Sequence, residues 1–369
     1  DRDGEARALN NLGLVKWNQG NFEEALHSFE DSLAISVELA ACLQKSSTLC
    51  NIGLVHASQG DDEAALDYYR RSLDLQISSG NLDAQAHVLI NMGSAYFRSG
   101  AIEKAVSIAE RSLQICLELG DRPGQCKVLN NIGNIMLHLG LTEKAESRYR
   151  EAIGIAEDQG DQFMQGIILS GMGLLQMELD CPAKALVFYG RSLEICRVME
   201  DAEGESELLL QLGEAYLNLN RLSEAGEHLR RSLSILENIG AMKIEPQVRG
   251  LLAQAILRED CSPEAEAEAL ELLKRAEDEL QTQSIKERMD ILWILAQAYR
   301  LLATSATRES LNSASRNQWS DQHRRLTERA YRDLMQAADR IQDHSNRESY
   351  LNRIFSHGEI IRTFEEFSQ

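Results

Sequence analysis

The 369-residue chain predicts an all-α fold, a solenoid of antiparallel helix hairpins closed by a helical C-terminal cap. Three observations predict it. Small and bulky residues recur at a spacing of forty. Each repeat holds two stretches of helical apolar periodicity. The composition, with 4 prolines and 5% aromatics beside abundant Ala, Leu, Glu and Arg, favours helix throughout.

The repeat runs without a slip through residues 1–240. Glycine stands at Gly13, Gly53, Gly93, Gly133, Gly173 and Gly213, and alanine follows at Ala25, Ala65, Ala105, Ala145, Ala185 and Ala225. A bulky residue comes next at Phe29, Tyr69, Tyr149, Tyr189 and Leu229, with Ala109 as the exception, and then Leu33, Leu73, Leu113, Ile153, Leu193 or Leu233. In the fourth row Val128, Leu129, Ile132 and Ile135 to Leu137 make the first apolar stripe, and Ala145, Tyr149, Ile153 and Ile155 the second. Breakers such as Gln19-Gly20-Asn21 and Leu139-Gly140-Leu141 divide the helices of a row, and Gly80-Asn81, Gly120-Asp121 and Gly160-Asp161 divide the rows. Glycine ends a helix there because it enters the left-handed conformation without steric cost. Small residues at the glycine and alanine positions let two helices approach closely, and the bulky residue fills the space toward a neighbour.

Residues 241–284 read as a degenerate seventh repeat with Ala253 in the glycine position. Ser262-Pro263-Glu264 starts a helix that runs to about Leu280, serine serving as cap and proline in the first turn. Residues 285–369 read as the cap. A helix is expected from about Lys286 to Leu302, then a polar mobile loop at 303–320, then helices at about Asp321–Asp343 and Arg347–Phe367. An array needs such an atypical end to cover its last apolar face.

The pattern resembles the tetratricopeptide repeat, whose signature of small residue, alanine, aromatic and small residue is met by Leu12-Gly13, Ala25, Phe29 and Ser32. The family's usual period is about 34 residues. The longer period here is similar to the subtype in Pins-type polarity adaptors, kinesin light chains and bacterial signalling proteins, although the usual closing proline is missing. The resemblance implies a right-handed superhelix whose first helices line a concave inner face. Helical spacing then places Trp17, Asn11, Asn51, His87, Asn91, Arg98, Lys127, Asn131, Asn134 and His138 on that face. Asn11, Asn51, Asn91 and Asn131 form a ladder two residues before each glycine, interrupted by Gly171 and Gln211. In peptide-binding members an asparagine at this place bonds the backbone of an extended ligand, for which an amide is suited because it donates and accepts. The alternative is that these amides tie neighbouring helices together.

Charge on the inner face changes sign. His87, Arg98, Lys127 and His138 make the middle rows basic, while Glu178, Glu207 and Glu214 make later rows acidic. A protein or peptide partner with acidic groups opposite repeats 3 and 4 is expected, since complementarity sets specificity. The formal net charge of −20 argues against direct nucleic-acid binding. No HExxH, GxxxxGK[ST] or GxSxG occurs, so no enzyme, metal or cofactor is expected; Gly171-Met172-Gly173 falls within a helix. The acidic pairs Glu23-Glu24 and Asp61-Asp62 suit the starts of second helices. Seven cysteines without a CxxC pair read as buried thiols of a reducing compartment. With no run of about 18 apolar residues and no signal peptide, a cytoplasmic protein that does not enter membranes is expected.

Two functions follow. One is an interaction scaffold that holds a protein segment on the inner face. The other is the sensor or regulatory arm of a larger signalling protein, suggested by a first row in full register with no visible cap, by the start at Asp1, and by the likeness of 346–367 to the closing helix of bacterial regulators.

Overall fold

The computed structural model is all-helical and describes residues 1–240, 244–260, 262–280, 285–304, 313–352 and 354–368. Six hairpins occupy the repeat region: α1 (Arg2–Asn18) with α2 (Phe22–Glu38), α3 (Cys42–Ser58) with α4 (Asp62–Ser78), α5 (Leu82–Arg98) with α6 (Ile102–Leu119), α7 (Arg122–His138) with α8 (Thr142–Gln159), α9 (Gln162–Glu178) with α10 (Pro182–Val198), and α11 (Ala202–Asn218) with α12 (Leu222–Ile239). Then follow α13 (Glu245–Glu259), α14 (Pro263–Glu279), α15 (Ile285–Thr304), α16 (Ser313–Ala338), α17 (His344–Asn352) and α18 (Phe355–Ser368).

The helices stop on a strict count. A left-handed residue stands at every twentieth position from Gly20 to Gly240, and four of these are not glycine: Ala40, Asp180, Glu200 and Asn220, with φ between 49° and 56°. The turn geometry is imposed by the stacking of the helices it joins, strongly enough to hold a β-carbon in a conformation that ordinarily favours glycine. The starts of α1, α4, α5, α7, α9 and α11 are fixed by side chains that accept the orphan amides of the first turn. Asp1, Asp61, Asn81, Asp121, Asp161 and Asp201 each accept from the backbone N–H three residues on, at 2.9–3.1 Å.

The chain divides into two compact units, one of 1–135 with 150–155 and one of 136–149 with 156–369. In the first, each hairpin packs on the next through its second helix, α2 on α3 and α4 on α5, while α1 touches α3 and α3 touches α5. The first helices therefore share the inner side of the stack. In the second unit α10 packs on α11 and α12 on α13 in the same manner.

The repeated residues build the core as the spacing predicts. Ala25, Phe29, Ala65, Tyr69, Tyr149, Ala185 and Tyr189 are buried, and burying each large side chain contributes about 1.5–3 kcal/mol. A β-carbon placed on Gly13, Gly53, Gly173 or Gly213 would fall 2.2–2.6 Å from the bulky residue of the same hairpin, so glycine is a steric requirement there. Tyr149 also reaches the next hairpin, where a β-carbon at Gly171 would lie 2.9 Å from its ring. A second, polar ladder ties each hairpin shut. Ser32, Ser72, Ser112, Ser192 and Ser232 donate to the carbonyls of Ala6, Ser46, Ala86, Gly166 and Ser206 at 2.7–3.1 Å. In the fourth hairpin the serine is Ala152, and the bond comes from the other side, Cys126 Sγ donating to the Ala152 carbonyl at 3.4 Å.

α13 is buried on nearly all sides, covered by α12, α14 and α15. Its Arg249 is buried with Glu245, to which it donates at 2.7 Å, so the charge is paired rather than expelled. Of the polar loop expected at 303–320, residues 303–304 close α15 and 313–320 open α16, while 305–312 lie outside the described residues. Helix-compatible residues and the buried Trp319 carry α16 this far back. The closing helix expected at 347–367 is broken into α17 and α18, between which His357 Nδ1 donates to the Tyr350 carbonyl at 2.7 Å.

The cysteines also divide. Cys116 and Cys126 are buried, Cys50, Cys181 and Cys196 are half-buried, and Cys42 is exposed because it lies in the first turn of α3, away from the stacked face. Cys261 lies outside the described residues. Burial pushes the Cys50 and Cys116 thiols up to about 11, away from the reactive thiolate form.

Candidate ligand-binding surface

The inner side of the first unit is made by α1, α3, α5 and most of α7, and the half-buried asparagines on it are held by their neighbours. Asn51 Nδ2 donates to Asn10 Oδ1 at 3.0 Å, Asn91 Nδ2 to Cys50 Sγ at 3.6 Å and Asn131 Nδ2 to Ser94 Oγ at 3.1 Å. The asparagine ladder thus stitches each first helix to the one before it, the alternative that the sequence left open. In the second unit Ser170 Oγ donates to Gln211 Oε1 at 3.0 Å, so Gln211 takes up the same stitch in the register. An amide offers two N–H donors and an acceptor. One bond to a neighbour orients it without exhausting it.

Asn51, Asn91, Asn131 and Asn134 are half-buried, while Asn11 on α1 is exposed. The position one residue earlier lies deeper: Asn10 and Asn130 are buried between helices, and Asn130 Oδ1 has no hydrogen-bond partner. Trp17 is half-buried against the cluster of Ala25, Phe29, Ile52 and Val55, its Nε1 donating to Ser58 Oγ at 2.9 Å. His87 and Lys127 are exposed.

Arg98 behaves differently from the reading of its spacing. Its guanidinium donates to Asp62 Oδ1 at 3.0 and 2.6 Å, so the cation expected to await an acidic ligand is paired within the stack. The contact spans 36 residues, from the last turn of one first helix to the first turn of the preceding second helix. The same separation joins Arg2 to Glu38 and Ser223 to Glu259, a register signal that the sequence carries. Asp62 therefore does more than complement its helix dipole.

In the second unit the cap reaches the inner side. Tyr350 of α17, only 1% exposed, packs its ring 5.0 Å from that of His138 and 4.5 Å from that of His357. His138, expected to meet a ligand, meets the chain's own C-terminal segment. Periodicity could not reveal this, because the two residues lie far apart in sequence. Burial, with the carboxylates Asp290 of α15 and Glu178 of α9 close by, pushes the Glu214 carboxyl up to about 7. The acidic side read from Glu178 and Glu214 is thereby extended by a residue of the cap.

Among the described residues no group of three or more His, Cys, Asp or Glu side chains is arranged to hold a metal ion. No described helix is long and apolar enough to cross a membrane.

The fold has known counterparts. The chain resembles a signal transduction ATPase with numerous domains and a tetratricopeptide repeat sensor from Pyrococcus horikoshii, at 15% identity and TM-score 0.61, over 94% of this chain and 53% of that one. It resembles the quorum sensor NprR from B. thuringiensis in its apo form, at 16% identity and TM-score 0.58, over 87% of both chains. It also resembles NprR in complex with its cognate peptide NprX, at 15% identity and TM-score 0.53, over 86% of both chains. These likenesses show the fold. No curated protein sequence matches the chain. The profile of the tetratricopeptide repeat matches residues 4–78, 84–158 and 165–238, more than half of the chain, and the chain belongs to the tetratricopeptide repeat family.

Proposed function

We propose that the protein is a binding scaffold that holds an extended protein or peptide segment along the inner side of its first unit, with residues 1–240 as the array, 241–284 as a seventh repeat and 285–369 as the cap. The observation that carries this reading is the row of half-buried amides at Asn51, Asn91 and Asn131, each oriented by a neighbouring first helix. A fixed amide with capacity to spare is suited to the backbone of an extended ligand. The likeness to a structure solved with a bound peptide agrees with it. Exposed Lys127 and His87 favour acidic groups on the ligand, while Arg98 contributes less because Asp62 neutralises it. Where the second unit begins, Tyr350 covers His138, which directs the ligand to α1, α3, α5 and α7.

The test is capture of partners by the full chain, followed by competition with peptides from what is captured. Asn91→Ala with Asn131→Ala is expected to weaken capture at least about tenfold, equivalent to about 1.4 kcal/mol, while circular dichroism stays that of a helical array. Lys127→Glu is expected to weaken acidic peptides selectively. Capture unchanged in all three substitutions would move the site off the inner side.

A second reading, the sensor arm of a larger signalling protein, is favoured by the likeness to the ATPase whose repeats are a sensor and of which this chain covers 53%. The full-length gene sequence separates the two, a flanking ATPase, kinase, protease or DNA-binding domain supporting the arm.

A further inference from the structure

In the second unit, α14, α15 and α16 line a cleft of about 370 Å³, within the range of roughly 300–1,000 Å³ that small-ligand sites occupy. Tyr299 of α15 and Trp319 of α16, each 8% exposed, form its floor with half-buried Leu270 of α14. Lys274 and Asp278 of α14 and Gln318 of α16 are exposed along its rim. Between floor and rim stands Glu277, half-buried.

Glu277 is held in place by neutral groups. The Tyr299 hydroxyl donates to its Oε1 and the Gln322 amide to its Oε2, both at 2.6 Å, so donors from two other helices fix the carboxylate. Burial and the bond to Glu277 push the Tyr299 hydroxyl above its ordinary value, so it keeps its proton and donates without neutralising the charge. Among the described residues neither Glu277 nor Asp278 has a cationic side chain at ion-pair distance, although Lys274 lines the same cleft. A staple joining α14 to α15 and α16 would need only a neutral acceptor such as glutamine, whereas a half-buried charge without a partner costs desolvation energy. Each carboxylate oxygen has two lone pairs, so each keeps one after these bonds.

We propose that this cleft binds a guanidinium group, with Glu277 accepting two of its N–H donors, Asp278 adding a second negative charge at the rim and Trp319 walling the planar cation. A fixed carboxylate with one lone pair left on each oxygen matches the donor fork of a guanidinium. A guanidinium also stacks on aromatic rings, where an ammonium stays strongly hydrated. Lys274 lowers the net negative charge of the rim but pairs with neither carboxylate, which leaves both to the ligand. The group arrives on a free alkylguanidine or as the arginine side chain of a polypeptide. None of the inner-side asparagines takes part, so the inference is independent of the reading above.

The test titrates the full chain with agmatine, with an acetylated Gly-Arg-Gly amide and with the lysine counterpart of that peptide. Calorimetry follows binding, and tryptophan fluorescence places it, since Trp319→Phe removes the local signal. At least one guanidinium probe is expected to bind about tenfold or more tightly than the lysine peptide, and Glu277→Gln to weaken it about tenfold or more with helicity retained. Asp278→Asn, at the exposed rim, is expected to weaken it about threefold and decides alone if Glu277→Gln does not fold. Agmatine binding more tightly than the arginine peptide identifies a free alkylguanidine as the ligand; the reverse identifies an arginine side chain. No binding of either guanidinium probe up to about 10 mM overturns the proposal, as does a lysine peptide that binds equally well. So does a Glu277→Gln chain that loses Tm and keeps its affinity, because the carboxylate would then be a staple alone.

Discussion

Gly93 and Gly173 occupy one register, yet a β-carbon on the first would meet nothing nearer than Ile108 at 3.8 Å and on the second would fall 2.2 Å from the Tyr189 ring. The difference is Ala109, the small residue standing where the other hairpins carry a bulky one. Gly93→Ala is therefore expected to stabilise the chain by about 0.5–1 kcal/mol through helix propensity, and Gly173→Ala to cost about 1–3 kcal/mol by overpacking; chemical denaturation of the two variants measures both. A residue-scale pH effect sits at Glu214. Its carboxyl is raised from 4.5 to about 7 by burial, Asp290 and Glu178, so the folded chain holds this proton more tightly than the unfolded one. The site costs nothing below about pH 4.5, and stability is lost as pH rises from there through about 7. Glu214→Gln is expected to be more stable than the parent by about 2 kcal/mol at pH 8, with the difference vanishing near pH 4.5. The steric logic of the glycines was legible in the sequence because it repeats. The environment of Glu214 was not, because Asp290 arrives from α15, seventy-six residues further on and outside the repeat.

At the scale of the element, the turns hold the clearest prediction. Ala40 and Glu200 keep a positive φ without the glycine that stands at most of the equivalent positions. Relieving the β-carbon by Ala40→Gly or Glu200→Gly is expected to add about 1 kcal/mol, and Gly120→Ala to remove a similar amount, read from shifts in denaturation midpoint. Many helix starts and ends through residue 240 followed from caps and glycines, which are local signals, while the ends at Ala40, Asp180, Glu200 and Asn220 follow only from the register of the repeat. The helical start of α16 at 313–320 is not legible locally for the opposite reason: it is accompanied by burial of Trp319, a tertiary contact that no local pattern announces. The asparagine ladder shows a third kind of limit. Its spacing was plain, but whether an amide bonds a neighbour or awaits a ligand depends on a partner side chain forty-one residues back in one case and thirty-seven in another.

At the scale of the whole molecule, a repeated array couples each hairpin to its neighbours and to little else, so damage is expected to stay local. Gly173→Leu should quicken hydrogen exchange in α9 to α12 while α1 to α4 keep their protection, a result that a single cooperative unit would not give. The recurrence of a left-handed residue at every twentieth position carries a consequence for how such a chain can change. One residue inserted in a helix turns everything after it by about 100° and carries the apolar stripe away from its neighbour. Composition can drift, as Ala109 and Gln211 show, but length cannot. Growth and loss are restricted to whole helix pairs, and a gene shortened by the codons for residues 81–120, which joins Gly80 to Asp121, is expected to encode a smaller folded protein, whereas a cut one codon shorter is not.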